Sequence, residues 1–429
     1  MASKLNPATT DTLSGNGSLP KGWRMVRFGD VVRDVNEAER NPLAAGLERF
    51  VGLEHIEPEN LHLKQWGLLA DGEISFTKRF RKGQVLFGKR RAYQKKVAVA
   101  EFDGICSSDI LTFEPKDKLL IPDLLPFIVQ SDGFFEHALG TSSGSLSPRT
   151  RWSQLQDYEF PLPPEDEQRK IAEILWATDE SSERYAEVIL SCREFRHQDA
   201  AAFFRTVTGI ESHPIGSTSS PPAGWLVVTG QQLLDDGYLA ALQDGNHGGQ
   251  YPRSDEFGHD GIPYLSAAFI SDQGDIDLKS CPRLPLERAS KLRIPPARGG
   301  DVILTNNATV GRIAILPDDC GDIVASTSTT YYRVANGLYK EYLAEYMRSS
   351  LFQQQLSRVM VQSTRHQVPI TTQKKLYFIV PPNEQQIAFA NRVKAIGSRQ
   401  KQLESHLTTL RNLKSQLVNE LASGKCNVY

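Results

Sequence analysis

The chain is written twice, and this constrains it more than any other feature. LPKGWRMVRFGDVV at 19–32 is answered by PPAGWLVVTGQQLL at 221–234, so Trp23 matches Trp225. KGQVLFGKRRAYQKKVAVAEFDG from Lys82 parallels GGDVILTNNATVGRIAILPDDCG from Gly299, and SDGFF from Ser131 parallels SSLFQ from Ser349. Both copies then reach an apolar stop, at Pro163-Pro164 and Pro381-Pro382. Each stop leads through an acidic residue and Gln (Glu167-Gln168, Glu384-Gln385) into about forty helix-compatible residues, ending in VTG at Gly209 or ASG at Gly424. A period of roughly two hundred residues far exceeds a solenoid repeat and indicates tandem domain duplication. Equating Gln168 with Gln385 leaves the second helix one residue short before its first apolar position, Ile387 against Ile171.

Within each copy, short apolar or alternating runs separated by Gly, Asp and Pro read as strands. They are FVGL (50–53), QVLF (84–87), KVAVAEF (96–102) and DILTF (109–113) in the first copy. The second copy has IPYLSAAFI (262–270), DVILT (301–305), RIAIL (312–316) and STTYYRV (328–334). Helical stretches follow at 121–140 and 338–360. This mixed order predicts α+β domains. The expected organisation is a disordered tail (1–18), a first domain (19–164), a long helix (165–209), a linker (210–221), a second domain (222–382), a second long helix (383–424) and a short tail (425–429).

The second long helix carries Phe389, Ile396, Leu403, Leu410 and Leu417 at every seventh position, with Val393, Leu407 and Leu421 on the complementary seam and Gln400 and Lys414 interrupting it. That is a coiled-coil stripe. The first long helix offers a less regular apolar face that includes Ile171, Leu175, Val188 and Phe195. Two such helices in a duplicated chain are expected to pack on each other. Forty residues make a rod of roughly 60 Å.

Composition excludes more than it selects. Five scattered cysteines in no CxxC spacing argue against a disulfide framework and are read as reduced and structural. No segment approaches the roughly 20 apolar residues of a membrane span. The nine histidines form no metal-ligand spacing, and no phosphate-binding glycine loop occurs; SGKC at 423–426 lacks the upstream glycine. No FxGxG paired with NPPY or DPPY marks an amino-methyltransferase, since PLPP and VPPN lack the required Asn or Asp before the prolines. No catalytic or metal site is therefore assigned.

The net charge is only −2, but Lys78–Lys96 holds nine Lys or Arg and no acid. A solvated face would look similar; interleaved Phe80, Phe87 and Tyr93 favour nucleic acid. Lys89, Arg90, Arg91, Tyr93, Lys95 and Lys96 are the candidates here, suited to phosphates and guanine edges. The matching stretch of the second copy offers Asn306, Asn307, Thr309 and Arg312, whose amides suit adenine. Each copy also has a hydroxyl- and Arg-rich loop before its Pro-Pro stop. GTSSGSLSPRTRW (140–152) contributes Arg149 and Arg151, and VQSTRHQVPITTQ (361–373) contributes Arg365, His366 and Gln367.

LPKGW opening one domain, FPLPPEDEQRKIAEIL starting a helix, PAGW opening a second domain and FIVPPNEQQIAFANRV starting a helix that ends LASGK together resemble the specificity subunit of type I restriction-modification systems over residues 19–429. The resemblance implies two target-recognition domains joined by two long antiparallel coiled-coil helices. Each domain would read one half of a bipartite duplex target, while the helices set the gap and dock two modification subunits. It also implies no cofactor in this chain: S-adenosylmethionine and ATP with Mg would sit on partner subunits, restriction or translocase subunits among them. It places the complex in a bacterial or archaeal cytoplasm. A stand-alone DNA-modifying enzyme with unfamiliar motifs and a protein-binding coiled-coil scaffold remain the alternatives.

Overall fold

The computed structural model describes residues 19–72, 74–142, 149–208, 221–245, 251–361 and 366–425. The expected tail at 1–18 lies outside them, as do Arg365 and all but one residue of the expected linker (210–221) and of the expected tail at 425–429. The chain divides into two compact units. One runs to Ala186 and resumes at Ser405; the other is Glu187–Glu404. The division falls inside both long helices, Glu165–Thr208 and Asn383–Ala422, so each unit is a domain together with part of each helix.

The units share a three-sheet plan. In the first, Val32–Asp34, Ile110–Pro115, Val85–Gly88 and Val97–Val99 form an antiparallel sheet in that order. In the second, Leu239–Asp244, Thr329–Val334, Val302–Thr305 and Ile313–Ile315 do the same. A further sheet in each unit, five-stranded in the first and three-stranded in the second, contains a parallel pair, Phe50 beside Ile105 and Tyr264 beside Val324. A two-stranded ladder ties the start of each domain to its end: Arg24–Arg27 pairs with Glu159–Leu162, and Leu226–Thr229 with Tyr377–Val380. The central strands are buried along their whole length (Val85–Gly88 and Val302–Thr305), which is why they read as continuous apolar runs.

Each predicted helical stretch is broken once by a serine. Ser131 and Ser349 take extended backbone, and their Oγ atoms donate to the carbonyls of Ile128 (2.7 Å) and Tyr346 (2.6 Å). Such local side-chain bonds compete with the helical ladder and end it. The following helices are Asp132–Gly140 and Ser350–Val361.

The start of each long helix is anchored by one buried glutamine. Gln168 Nε2 donates to the carbonyls of Leu119 (2.8 Å) and Pro163 (2.9 Å), and its Oε1 accepts from the Ile121 amide (3.0 Å). The residue doing this work in the second copy is Gln386, not Gln385. Its Nε2 donates to Gly337 (3.1 Å) and Pro381 (2.8 Å), and its Oε1 accepts from the Tyr339 amide (3.1 Å). With Gln168 equated to Gln386, Ile171 falls on Phe389 and Leu175 on Val393, all four buried, and the missing residue disappears. Three backbone groups, one buried and two part-buried, would lose their partner in Gln386→Leu. We expect that change to lower the stability of its unit by about 3 kcal/mol, since each unsatisfied buried group costs about 1–3 kcal/mol; Gln385→Leu should be near neutral. Chemical denaturation of the two variants checks this.

Within each unit the helix segments run antiparallel. Ile171, Ala172 and Leu175 share a core with Val418 and Leu421 in the first. In the second, Ala200 and Phe204 share one with Phe389 and Val393, and Arg193 reaches Glu404 while Arg392 reaches Asp199. Of the expected seam, Ile171, Leu175 and Leu403 are buried, and Ile396, Leu410 and Leu417 half-buried. Val188 and Phe195 are not on it: they are 48% and 57% exposed. The buried stripe runs instead through Asp179, Ser182, Ile189 and Ala200, so an apolar-only reading of the helix places the face about one residue, or 100°, off. Polar residues enter the stripe because each has a partner. Asp179 is held by His62 and Lys414, Ser182 Oγ donates to the Thr178 carbonyl (2.9 Å), and Gln400 donates to Glu404 (2.9 Å). The cysteines Cys106, Cys192, Cys281 and Cys320 are free, and burial pushes the Cys106 thiol up to about 12. No described helix is long and apolar enough to cross a membrane.

Candidate nucleic-acid interface

In both units the central-sheet loop and the polar loop before the Pro-Pro stop meet, although about sixty residues of sequence separate them. In the first, the Thr150 amide donates to the Lys89 carbonyl (3.0 Å) and Arg90 bridges Arg149. In the second, the Val368 amide donates to Asn306 (2.8 Å), the Ala308 amide to His366 (3.0 Å), and Asn307 bridges Gln367. The strand behind closes both junctions: the Lys89 amide donates to Asp109 and the Asn306 amide to Ser328, each at 3.0 Å. Each junction also holds one buried side-chain oxygen without a protein partner among the described residues, Thr150 Oγ1 and Asn306 Oδ1. Two hydroxyl- and amide-rich loops in one patch are what phosphate and base-edge contacts require.

The candidates separate by what already occupies them. Lys95 reaches Asp132 (2.6 Å), and Lys96 donates to the Leu53 carbonyl (2.6 Å). Both lysines therefore hold their loop in place rather than presenting charge. Arg149 and Arg90 flank Asp109 at 3.2 and 3.6 Å, an ion pair that keeps both guanidiniums at the junction. Lys89 is half-buried; burial, with Lys78 nearby, lowers the pKa of its ammonium. Arg91 and Tyr93 project from the tip, Tyr93 being 56% exposed, and Arg151 is exposed beside the short helix Trp152–Leu155.

In the second unit Asn306 leaves the candidate surface. It is 1% exposed, and its Nδ2 donates to Thr330 Oγ1 (2.8 Å). Arg312 is likewise engaged, with Asp272 (2.6 Å) and the Ile270 carbonyl (2.8 Å). Asn307, Thr309, His366 and Gln367 remain at the surface. Sequence alone does not reveal the buried Gln373 that ties this loop down, donating to Val368 (2.8 Å) and Thr330 Oγ1 (2.9 Å) and accepting from the Tyr332 hydroxyl (2.7 Å).

Backbone conformation marks the tips. Arg91 (φ 54°) and Lys95 (φ 49°) bracket the turn Ala92–Gln94 in the left-handed region; Ala308 (φ 62°) and Gly311 (φ 101°) bracket the corresponding, shorter turn. Each non-glycine residue there carries about 1–2 kcal/mol of strain. Among the described residues no group of three or more His, Cys, Asp or Glu could hold a metal.

The duplicated frame matches known proteins along most of its length. The family model described as the type I restriction modification DNA specificity domain matches residues 20–188 and 245–418. The MjaVIII specificity subunit of a type I restriction enzyme from Methanocaldococcus jannaschii is 22% identical over 446 aligned positions, covering 96% of this chain and 94% of that one. The EcoDI specificity subunit of Escherichia coli is 28% identical over 162, which spans 36% of this chain and only 34% of that subunit. The solved S subunit of a type I restriction-modification system from M. genitalium superposes with a TM-score of 0.58 at 16% identity, over 97% of this chain and 99% of that one. A chain from a structure of type I R-M complex assembly gives 0.56 at 19%, over 96% and 100%. Such identities speak for the fold; the two family matches, one for each copy and together well over half the chain, show that it belongs to the type I restriction-modification DNA specificity family.

Proposed function

We propose that each unit reads one half of a bipartite duplex target through its paired loops, and that the two long helices set the gap between the halves and dock two modification subunits. The chain is a DNA-recognition component and carries no catalysis of its own. The observation that carries the reading is the repetition of one loop junction on one frame with different side chains: Lys, Arg and Tyr in the first copy, Asn, Thr, His and Gln in the second. A shared scaffold with divergent tips is how two unlike half-sites can be read by a duplicated chain.

The first unit supplies positive charge for phosphates and guanine, the second amides and hydroxyls for adenine and neutral contacts. Val188, Leu190 and Phe195, all more than 45% exposed on the first long helix, are the apolar surface offered to a modification subunit. S-adenosylmethionine and ATP with Mg belong to the partners, a restriction or translocase subunit included, and the assembly acts in a bacterial or archaeal cytoplasm.

Co-expression with a modification subunit is expected to yield adenine methylation confined to one asymmetric, interrupted sequence, while the purified chain alone transfers no methyl group. Sequencing of methylated adenines reads the first outcome and radiolabel transfer the second. Methyl transfer by the chain alone would instead support the stand-alone enzyme. No sequence selectivity in the assembled complex would support a protein-only scaffold.

A further inference from the structure

The turn after Val85–Gly88 is held more firmly than a surface loop requires. Ala92 is 2% exposed, the Gln94 and Lys95 amides close back on Arg91 and Ala92 (2.9 Å each), and the Glu59 amide donates to the Lys95 carbonyl (3.1 Å). Asp132 fixes the Lys95 ammonium. From this rigid base two large side chains project: Tyr93, and Arg91, for which nothing among the described residues supplies a hydrogen bond or ion pair.

Arg91 sits in the left-handed region, where glycine would be unstrained, and the corresponding residue in the second copy is the small Ala308. The second copy also has one residue fewer between its bracketing positions, Thr309 and Val310 against Ala92, Tyr93 and Gln94. The extra residue lets the first tip present an aromatic ring. A strained backbone retained together with a large unpaired side chain points to a use for that side chain.

We propose that the turn Arg91–Lys95 is a preorganised head that reads a guanine in the first half-site. Arg91 supplies the hydrogen bonds to the guanine edge, and the Tyr93 ring packs on the adjoining base pair. The inference rests on the reading that the first unit contacts one half-site. Guanine presents two acceptors, N7 and O6, in the major groove, and a guanidinium matches them with two parallel donors. An ammonium reaches the same two acceptors without that rigid planar pair of donors, and so discriminates less sharply, whereas either cation would serve a phosphate. A ring beside it finds an apolar partner in a thymine methyl group.

The test uses the complex assembled with a modification subunit and a library of randomised duplexes, with retained sequences read out for the wild type, Arg91→Gly, Arg91→Lys, Tyr93→Phe and Tyr93→Ala. Arg91→Gly should lose about 10- to 100-fold in preference at a single G·C pair of one half-site, and Arg91→Lys only part of that, leaving the other half unchanged. Arg91→Gly should melt at or above the wild-type temperature, because glycine relieves the strain, so its loss of selectivity cannot be ascribed to misfolding. Tyr93→Ala should relax the neighbouring position and Tyr93→Phe retain it. Wild-type letters in Arg91→Gly would overturn the proposal by reducing Arg91 to a phosphate clamp, which carries no sequence information. A wild-type complex that selects no interrupted sequence at all would instead bring down the two-reader function on which it rests.

Discussion

Replacing Asp179 by Ala is expected to destabilise the first unit by about 3 kcal/mol, the scale of breaking a buried ion pair from one side. Asp179 lies in the helix stripe with its side chain only 9% exposed. It accepts from His62 Nε2 (2.8 Å) and pairs with Lys414, which is itself only 11% exposed and stands 5.5 Å from the Phe127 ring. Removing the carboxylate leaves the ammonium with the ring alone. Substituting both partners by apolar residues of similar size, Asp179→Leu with Lys414→Met, should recover most of the loss, because no buried charge is then left unpaired. Urea denaturation followed at Trp176, whose ring lies 5.1 Å from Phe127 and 6.3 Å from His62, reads the effect locally. A double variant as unstable as the single would shift the role of Asp179 from Lys414 to His62.

The same cluster sets a pH dependence. The hydrogen bond to Asp179 raises the His62 pKa above its ordinary 6.5, against the opposing effect of burial. A raised folded-state value means the stabilisation is full below pH 6.5 and fades as pH climbs through the folded value. For Asp179, burial alone would raise the pKa, but the hydrogen bonds from His62 and Lys414 outweigh it and hold it low. Its contribution is therefore present above the ordinary carboxylate range and lost in acid. Asp179→Ala should flatten the stability profile on the alkaline side of pH 6.5 and bring the His62 titration back toward its ordinary value, both visible by NMR.

Exchanging residues 222–380 for the matching domain of a relative should replace one half-site entirely and leave the other letter for letter. The graft is physically reasonable because its ends are neighbours: Leu226 pairs with Val380 in the ladder that opens and closes the domain. The domain also carries its own four-stranded sheet and loop junction. The donor must preserve the carbonyl at Gly337 and the amide at Tyr339, since Gln386 of the recipient helix hydrogen-bonds both. Mapping methylated adenines in cells carrying the chimera gives the answer directly. If both half-sites changed together, the units would not read independently.

Much of this was legible beforehand. The Pro-Pro stops lead into long helices and the runs 84–87, 109–113, 301–305 and 328–334 fall on strands, because buried central strands and helix starts are written in local residue types. The ladders joining each domain's start to its end were missed, since partners more than a hundred residues apart leave no local signature. Helix register in the second copy is not written in the sequence either: Gln385 and Gln386 are chemically identical, and only the carbonyls at Gly337 and Pro381 single out the second.

By itself the sequence determined that there are two copies of an α+β domain, each followed by a long helix, and which two loops of each copy carry polar, reader-like chemistry. Tertiary structure alone decided which of those side chains are free to act. Asn306 and Arg91 look equally available in the sequence, yet one is buried against Thr330 while the other stands out from a strained turn. Val188 and Ile189 are equally apolar, yet the helix buries only Ile189. The reason is the same in each case: composition fixes what a side chain can do, but burial and hydrogen-bond partners come from residues distant in the chain, and these determine whether it is spent on holding the fold or left for a ligand.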